Sequence, residues 1–125
     1  MARYDTLVEM LEQSIEAHGS SPIFGTKQAG QYEWITYDEF GDLVDAARGG
    51  LADLGIEPDD TVAIIADNCV EWAACCYATF GLSARYCPMY EDQNAKDWRY
   101  ILEDSGAKIA VVADQEIYRE VQPWI

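Results

Sequence analysis

Acids and amides supply most of the side chains here that could do chemistry. They fall into four short clusters: Asp59-Asp60, Asp67-Asn68, Glu91-Asp92-Gln93-Asn94 and Asp114-Gln115. An acidic pair beyond the carboxyl end of a strand could accept a phosphoryl group, as in a receiver-type pocket. Asp59-Asp60 instead precedes the uncharged run Thr61–Ala66, at its amino end, so that chemistry is excluded. Serine hydrolysis is excluded too: there is no G-x-S-x-G, and no histidine follows His18. Cys69, Cys75, Cys76 and Cys87 lack C-x-x-C spacing, and His18 is far from them, so a zinc site is not expected. Free cysteines in an apolar helix act as small hydrophobes, which predicts buried, reduced thiols. Gly49-Gly50 is no phosphate loop, because neither G-x-G-x-x-G nor G-K-[ST] surrounds it. Their presence inside a helix predicts close packing against another element.

Composition narrows the classes further. The 125 residues suffice for one domain with a core and are too few for two. Half are hydrophobic, which argues against disorder. The charge of −15, from 23 acidic and 8 basic residues, disfavours nucleic acid and anionic membrane surfaces as partners. The longest apolar run, Trp72 to Leu82, is too short for a transmembrane segment, and no basic-then-apolar leader opens the chain. A cytoplasmic protein with a solvated acidic surface is the expectation.

The clusters are held by elements whose order is legible. Thr6 and Glu9 have capping-box spacing before a helix from Leu7 to about Ala17, closed by Gly19. Ile23–Lys27 and Gln31–Thr36 read as a hairpin around Gln28-Ala29-Gly30, half-buried at the margin of the main sheet. Thr36 and Glu39 form a second box, and Phe40, Val44, Ala47, Leu51 and Leu54 follow at helical spacing up to Gly55. Thr61–Ala66 is then a strand covered on both faces. Asn68 and Glu71 have the spacing of a third box, opening a helix to Phe80 that is apolar almost all round and so expected to be buried, with Gly81 as its stop. Arg85-Tyr86-Cys87 leads into Pro88 as a short strand. Asn94 caps a helix carrying Trp98, Ile101 and Leu102, closed by Gly106. Lys108–Ala113 is a third strand, and Asp114 opens a last helix, Gln115–Val121, before Pro123.

From Tyr37 onward the order is α-β-α-β-α-β-α, and short connections with buried strands imply parallel pairing. The predicted architecture is α/β: a three-layer partial parallel sheet with α crossovers over 37–125, plus a small helix and hairpin over 1–36. Ligands of such sheets bind beyond the carboxyl ends of the strands. There the loops Asp67-Asn68, Met89–Asn94 and Asp114-Gln115 offer neither a glycine cradle nor a placed lysine. Helix capping accounts for Asp67, Asn68, Asn94 and Asp114. No catalytic, cofactor-binding or metal-ligating residue is therefore assigned in this chain.

Several ordered segments carry a resemblance. They are Trp34-Ile-Thr-Tyr-Asp-Glu-Phe, Leu51-Ala-Asp-Leu-Gly-Ile-Glu-Pro-Asp-Asp-Thr-Val-Ala-Ile and Asn68-Cys-Val-Glu-Trp, then Ala84-Arg-Tyr-Cys-Pro-Met-Tyr-Glu and Tyr100-Ile-Leu-Glu-Asp-Ser-Gly-Ala-Lys. Together they resemble the amino-terminal region of the adenylate-forming superfamily, in the flavour of long-chain fatty acyl-CoA synthetases, from Thr6 to about Asp114. Asp59 stands where that family usually has glycine, and Asp tolerates the left-handed geometry. The resemblance implies a parent enzyme that joins a fatty acid to AMP from Mg-ATP and then passes the acyl group to coenzyme A. The family's phosphate loop, ribose-binding aspartate and catalytic lysine do not occur in residues 1–125, so ATP, Mg and CoA are implied only for the intact parent. The expected partners are the remainder of the adenylate-forming domain, or a second copy through uncovered sheet surface. The alternative is a stand-alone α/β binding or regulatory module.

Overall fold

Thr61-Val-Ala-Ile-Ile65 forms the central strand, and all five residues are buried. We label the elements of the computed structural model, which describes residues 3–125, in chain order. They are α1 Leu7–His18, β1 Pro22–Gln28, β2 Gln31–Thr36, α2 Tyr37–Asp53, β3 Thr61–Ile65 and α3 Val70–Gly81. β4 Arg85–Met89, α4 Ala95–Ser105, β5 Ile109–Val112 and α5 Gln115–Val121 follow, with a 3₁₀ turn at Gln122–Trp124. β4, β3 and β5 make a parallel sheet in that order, with Ile64 opposite Pro88 on one side and Val111 on the other. β1 and β2 make a separate antiparallel hairpin.

Alternation along β3 divides the core. Val62 joins Leu11, Phe40, Leu51, Ala74 and Ala78, from α1, α2 and α3. Ala63 and Ile65 join Met89, Trp98, Ile117 and Val121, with α4 and α5 on that face. The result is the three-layer α/β arrangement read from the sequence. Burying each Val or Ile of β3 contributes about 1.5–3 kcal/mol, which makes this strand the spine of the sheet.

Local chemistry sets most boundaries. Thr36 Oγ1 accepts from Glu39 N, and Glu39 Oε1 accepts from Thr36 N, both at 3.1 Å. Asn94 and Asp114 cap α4 and α5 through their side chains. Thr6 caps α1, but the Glu9 carboxylate reaches Asp5 N at 2.9 Å, so that box is displaced by one residue. Asp59 has φ +69°, as expected where the resembling family carries glycine.

Other expectations are corrected. Cys69, not Asn68, is the N-cap of α3, and it makes no side-chain cap bond. Gly81 lies inside α3; Ser83, φ +57°, takes the left-handed position instead. Gly81 has a different use, since a Cβ there would meet Arg48 Cδ at 3.0 Å. Gly19 is right-handed, and what its missing side chain admits is the Asp38 carboxylate. Gly49 and Gly50 face open space, so close packing does not account for them. α3 is only partly buried, because nothing in the described residues covers the outer side of Trp72, Cys76 and Phe80. The hairpin does not border the sheet; it rests on α2 through Phe24 against Phe40, ring centroids 4.9 Å apart. Tyr32 and Trp34 point outward and are 61% and 60% exposed, where a half-buried pattern was expected.

Candidate functional site

The loops following β3, β4 and β5 do converge at the carboxyl edge of the sheet. Asp67 N donates to Glu91 Oε2 at 2.8 Å, tying the β3 loop to the β4 loop. Within the β4 loop, Tyr90 N donates to Gln93 Oε1 at 3.0 Å, and the Trp98 indole N–H donates to Tyr90 O at 2.9 Å. Trp98 is buried, so a core side chain fixes the shape of an exposed loop. Asp67 and Asn68 therefore do not act as caps: Asp67 is a backbone donor to a neighbouring loop. Asn94 and Asp114 are caps, accepting from Asp97 N at 3.1 Å and Ile117 N at 2.8 Å.

Between the β4 loop and α5 lies a cleft of about 310 Å³, lined by Glu91, Asp114, Glu116 and Glu120 above Trp98 and Ile117. Four carboxylates around one cleft repel an anionic ligand, and no cation lines it. That cleft presents no positive charge to a nucleotide phosphate. Glu116 and Glu120 were not singled out from the sequence, although their four-residue spacing on a helix places them on one face. A second, larger groove, about 800 Å³, runs between the hairpin and the start of α3. It is lined by Lys27, Glu33, Leu43, Asn68 and Trp72 among others.

At the opposite end of the sheet, Asp60 is explained structurally. Its Oδ2 accepts from Glu57 N at 2.7 Å and from Lys108 Nζ at 3.1 Å, while Lys108 also donates to Gly55 O at 2.6 Å. The Glu57 N–H first, and the Lys108 ammonium second, hold the Asp60 carboxyl below its ordinary 3.8. Asp59 makes only an exposed contact with Arg85 at 3.8 Å, a pair that adds little. Neither acid is offered to a ligand beyond the strand ends.

The thiols depart from expectation in burial. Cys69 is exposed, and Cys75, Cys76 and Cys87 are half-buried; all four are free. Desolvation pushes the Cys75 and Cys76 thiols above their ordinary value, so they are poor nucleophiles. Tyr86 donates to Trp72 O at 2.9 Å, and burial pushes its phenol well above 10.0. It is a structural strut between β4 and α3. Among the described residues, no helix is long and apolar enough to cross a membrane.

Comparison with known proteins adds what the geometry lacks. A family model described as AMP-binding enzyme matches residues 11–124. A probable CoA ligase of Humulus lupulus is 26% identical over 114 residues, covering 87% of this chain and 17% of the relative. Long-chain-fatty-acid–CoA ligase 1 of Cavia porcellus is 28% identical over 110 residues, covering 86% of this chain and 16% of the relative. This chain therefore spans about a sixth of the length of these relatives. Among solved structures, a Mycobacterium tuberculosis fatty acyl CoA synthetase superposes with TM-score 0.77 at 26% identity, covering 84% of this chain and 20% of that one. An anthranilate CoA ligase in complex with anthranoyl-AMP reaches TM-score 0.85 at 18% identity over 98% of this chain and 23% of that one, a likeness of fold.

Proposed function

This chain belongs to the AMP-binding enzyme family, and from that membership we propose that it forms the amino-terminal portion of an ATP-dependent fatty acid–CoA ligase. In the intact enzyme a fatty acid carboxylate would displace pyrophosphate from Mg-ATP to give an acyl-adenylate. The thiol of coenzyme A would then take the acyl group and release AMP. The observation that carries this reading is the family match across residues 11–124, joined to relatives named as fatty acid–CoA ligases.

The contribution of residues 1–125 is architectural. The spine β3, the capped loops beyond the strand ends and the Trp98–Tyr90 link present a fixed edge against which the nucleotide- and acyl-binding parts would assemble. The acidic cleft between Glu91 and Glu120 disfavours phosphate, which supports a reading in which the nucleotide and coenzyme A are held by groups outside this stretch. The partner is accordingly the remainder of the adenylate-forming domain.

The test has two arms. The purified chain should give no fatty-acid-dependent ATP–pyrophosphate exchange above blank. Grafted into the Mycobacterium tuberculosis synthetase in place of its matching segment, it should support acyl-CoA formation. Robust turnover by the isolated chain, or a folded graft with no turnover, would overturn the reading in favour of a stand-alone binding module.

A further inference from the structure

Two cavities flank α1, on the face of the sheet away from α4 and α5. The first, about 450 Å³, lies between α1 and α2, and Leu11, Ile15, Val44 and Tyr77 are among its apolar walls. The second, about 420 Å³, lies between the start of α1 and the end of α3. Its lining of Thr6, Leu7, Val8, Phe80, Gly81 and Ser83 carries no charge. The two adjoin: Val8 lines both, and the Tyr77 ring of the first stands 6.5 Å from the Phe80 ring of the second. Each falls within the range of small-molecule sites, about 300–1,000 Å³.

Their electrostatics differ. Glu12 of α1 and Asp38, Asp42 and Asp45 of α2 line the first cavity, the three aspartates at the spacing of one helix face. Its one cation, Arg48, is already committed. The Arg48 guanidinium lies 3.0 Å from Asp45 Oδ1, and its stem crosses Gly81, where a Cβ would meet Cδ at 3.0 Å. Among the described residues, no hydrogen bond or ion pair engages the side chains of Glu12, Asp38 or Asp42. Two further glycines shape the same walls. A Cβ at Gly41 would meet Ile15 Cδ1 at 3.0 Å, and one at Gly19 would meet the Asp38 carboxylate at 2.6 Å. The missing side chains of Gly19, Gly41 and Gly81 thus make room for groups that line the cavity.

We propose that the joined cavities bind a small amphiphilic cation, its hydrocarbon chain between Leu7 and Phe80 and its ammonium head among Glu12, Asp38 and Asp42. Charge complementarity selects this class. A carboxylate or phosphate head would meet three like charges, and a neutral head would forgo their attraction. A second copy of the chain is a poorer occupant, because it would bring its own charge of −15. The site is independent of the ligase reading, since none of these residues lines the cleft at the carboxyl edge.

Calorimetric titration of the 125-residue chain with n-octylammonium, octanoate, 1-octanol and ethylammonium tests this, with hydrogen exchange by mass spectrometry to locate the binding. Octylammonium should bind about tenfold tighter than each of the other three, the first two lacking the charge and ethylammonium the chain. It should slow exchange in Leu7–His18 by about threefold or more, while Ile109–Val112 changes by less than about twofold. Glu12→Gln combined with Asp42→Asn should weaken octylammonium about tenfold and leave 1-octanol unchanged. Should that variant not fold, salt serves the same end: on the natural chain, going from about 0.01 to 0.15 M should weaken octylammonium severalfold and spare 1-octanol. Octanoate or 1-octanol binding as tightly as octylammonium overturns the inference, as does octylammonium binding that neither the variant nor salt moves. So does exchange slowed at β5 in place of α1. Protection of α1 that rises with protein concentration alone would give the site to a second copy. Loss of octylammonium binding in the folded graft would give it to the remainder of the longer chain, and either result sinks the proposal. Acyl-CoA formation by the graft reads the ligase proposal separately.

Discussion

β3 and the β1–β2 hairpin are both extended chain, and they are held by opposite means. Every residue of β3 is buried between two helical layers, so its stability comes from area removed from water. The hairpin exposes most of its side chains and is held by local chemistry. Ala29 and Gly30, φ +50° and +81°, close a two-residue turn of the kind whose twist suits a hairpin. The Thr36–Glu39 capping box ties its far end to α2. A strand identity read from sequence therefore says little about what stabilises it; the neighbours decide.

Phe40 is where the two regimes meet, and its removal is the largest test of the contrast. It is fully buried, edge-on to Phe24 of the hairpin and to Tyr77 of α3, at 4.9 and 6.2 Å between ring centroids. Phe40→Ala should cost about 3–5 kcal/mol in urea denaturation, lowering protection of hairpin and sheet together. A cost under about 1 kcal/mol would mean the regions are independent. A smaller change separates them: Thr36→Ala should cost about 1 kcal/mol, with exchange rising in β2 and early α2 while β3 amides stay slow. Equal loosening of β3 would erase the distinction.

The smallest effect comes from pH. Because the folded Asp60 carboxyl sits below 3.8, its contribution is present above that value and fades as pH falls through the folded pKa. The urea midpoint of Asp60→Asn should lie below that of the natural chain at neutral pH and converge with it below 3.8. A difference that persists unchanged into acid would show that Asp60 acts through shape and not through charge.

The spine, the helix order and the caps at Thr36, Asn94 and Asp114 were legible because each is written in a few adjacent residues. What escaped was set across distance. Asn68 has cap spacing, yet the chain from Ile65 leaves the sheet with Asp67 bound to Glu91, a residue 24 positions away, and the helix begins one residue later. Gly81 reads as a stop until Arg48 of α2 is seen to lie against it. The apolar surface of α3 predicted complete burial, and its outer side has no cover among the described residues. At the candidate site, the three loops were placed by strand order alone. The convergence of Glu91 with Glu116 and Glu120 depends on how α5 docks, which no local pattern carries.

The sheet order also has a consequence in time. β3 must wait for both partners, since Thr61 pairs with Arg85 and Val62 with Ile109, each beyond an intervening helix. The hairpin closes over two residues on a scale of about 1–10 μs, whereas during synthesis the ribosome adds about 5–20 residues each second. The uncharged Thr61–Ile65 segment is therefore made several seconds before β5 can cover its second edge. Through that interval the strand that ends up buried on both faces has as cover only α1, the hairpin and α2, made before it, and then α3 and β4 as they follow.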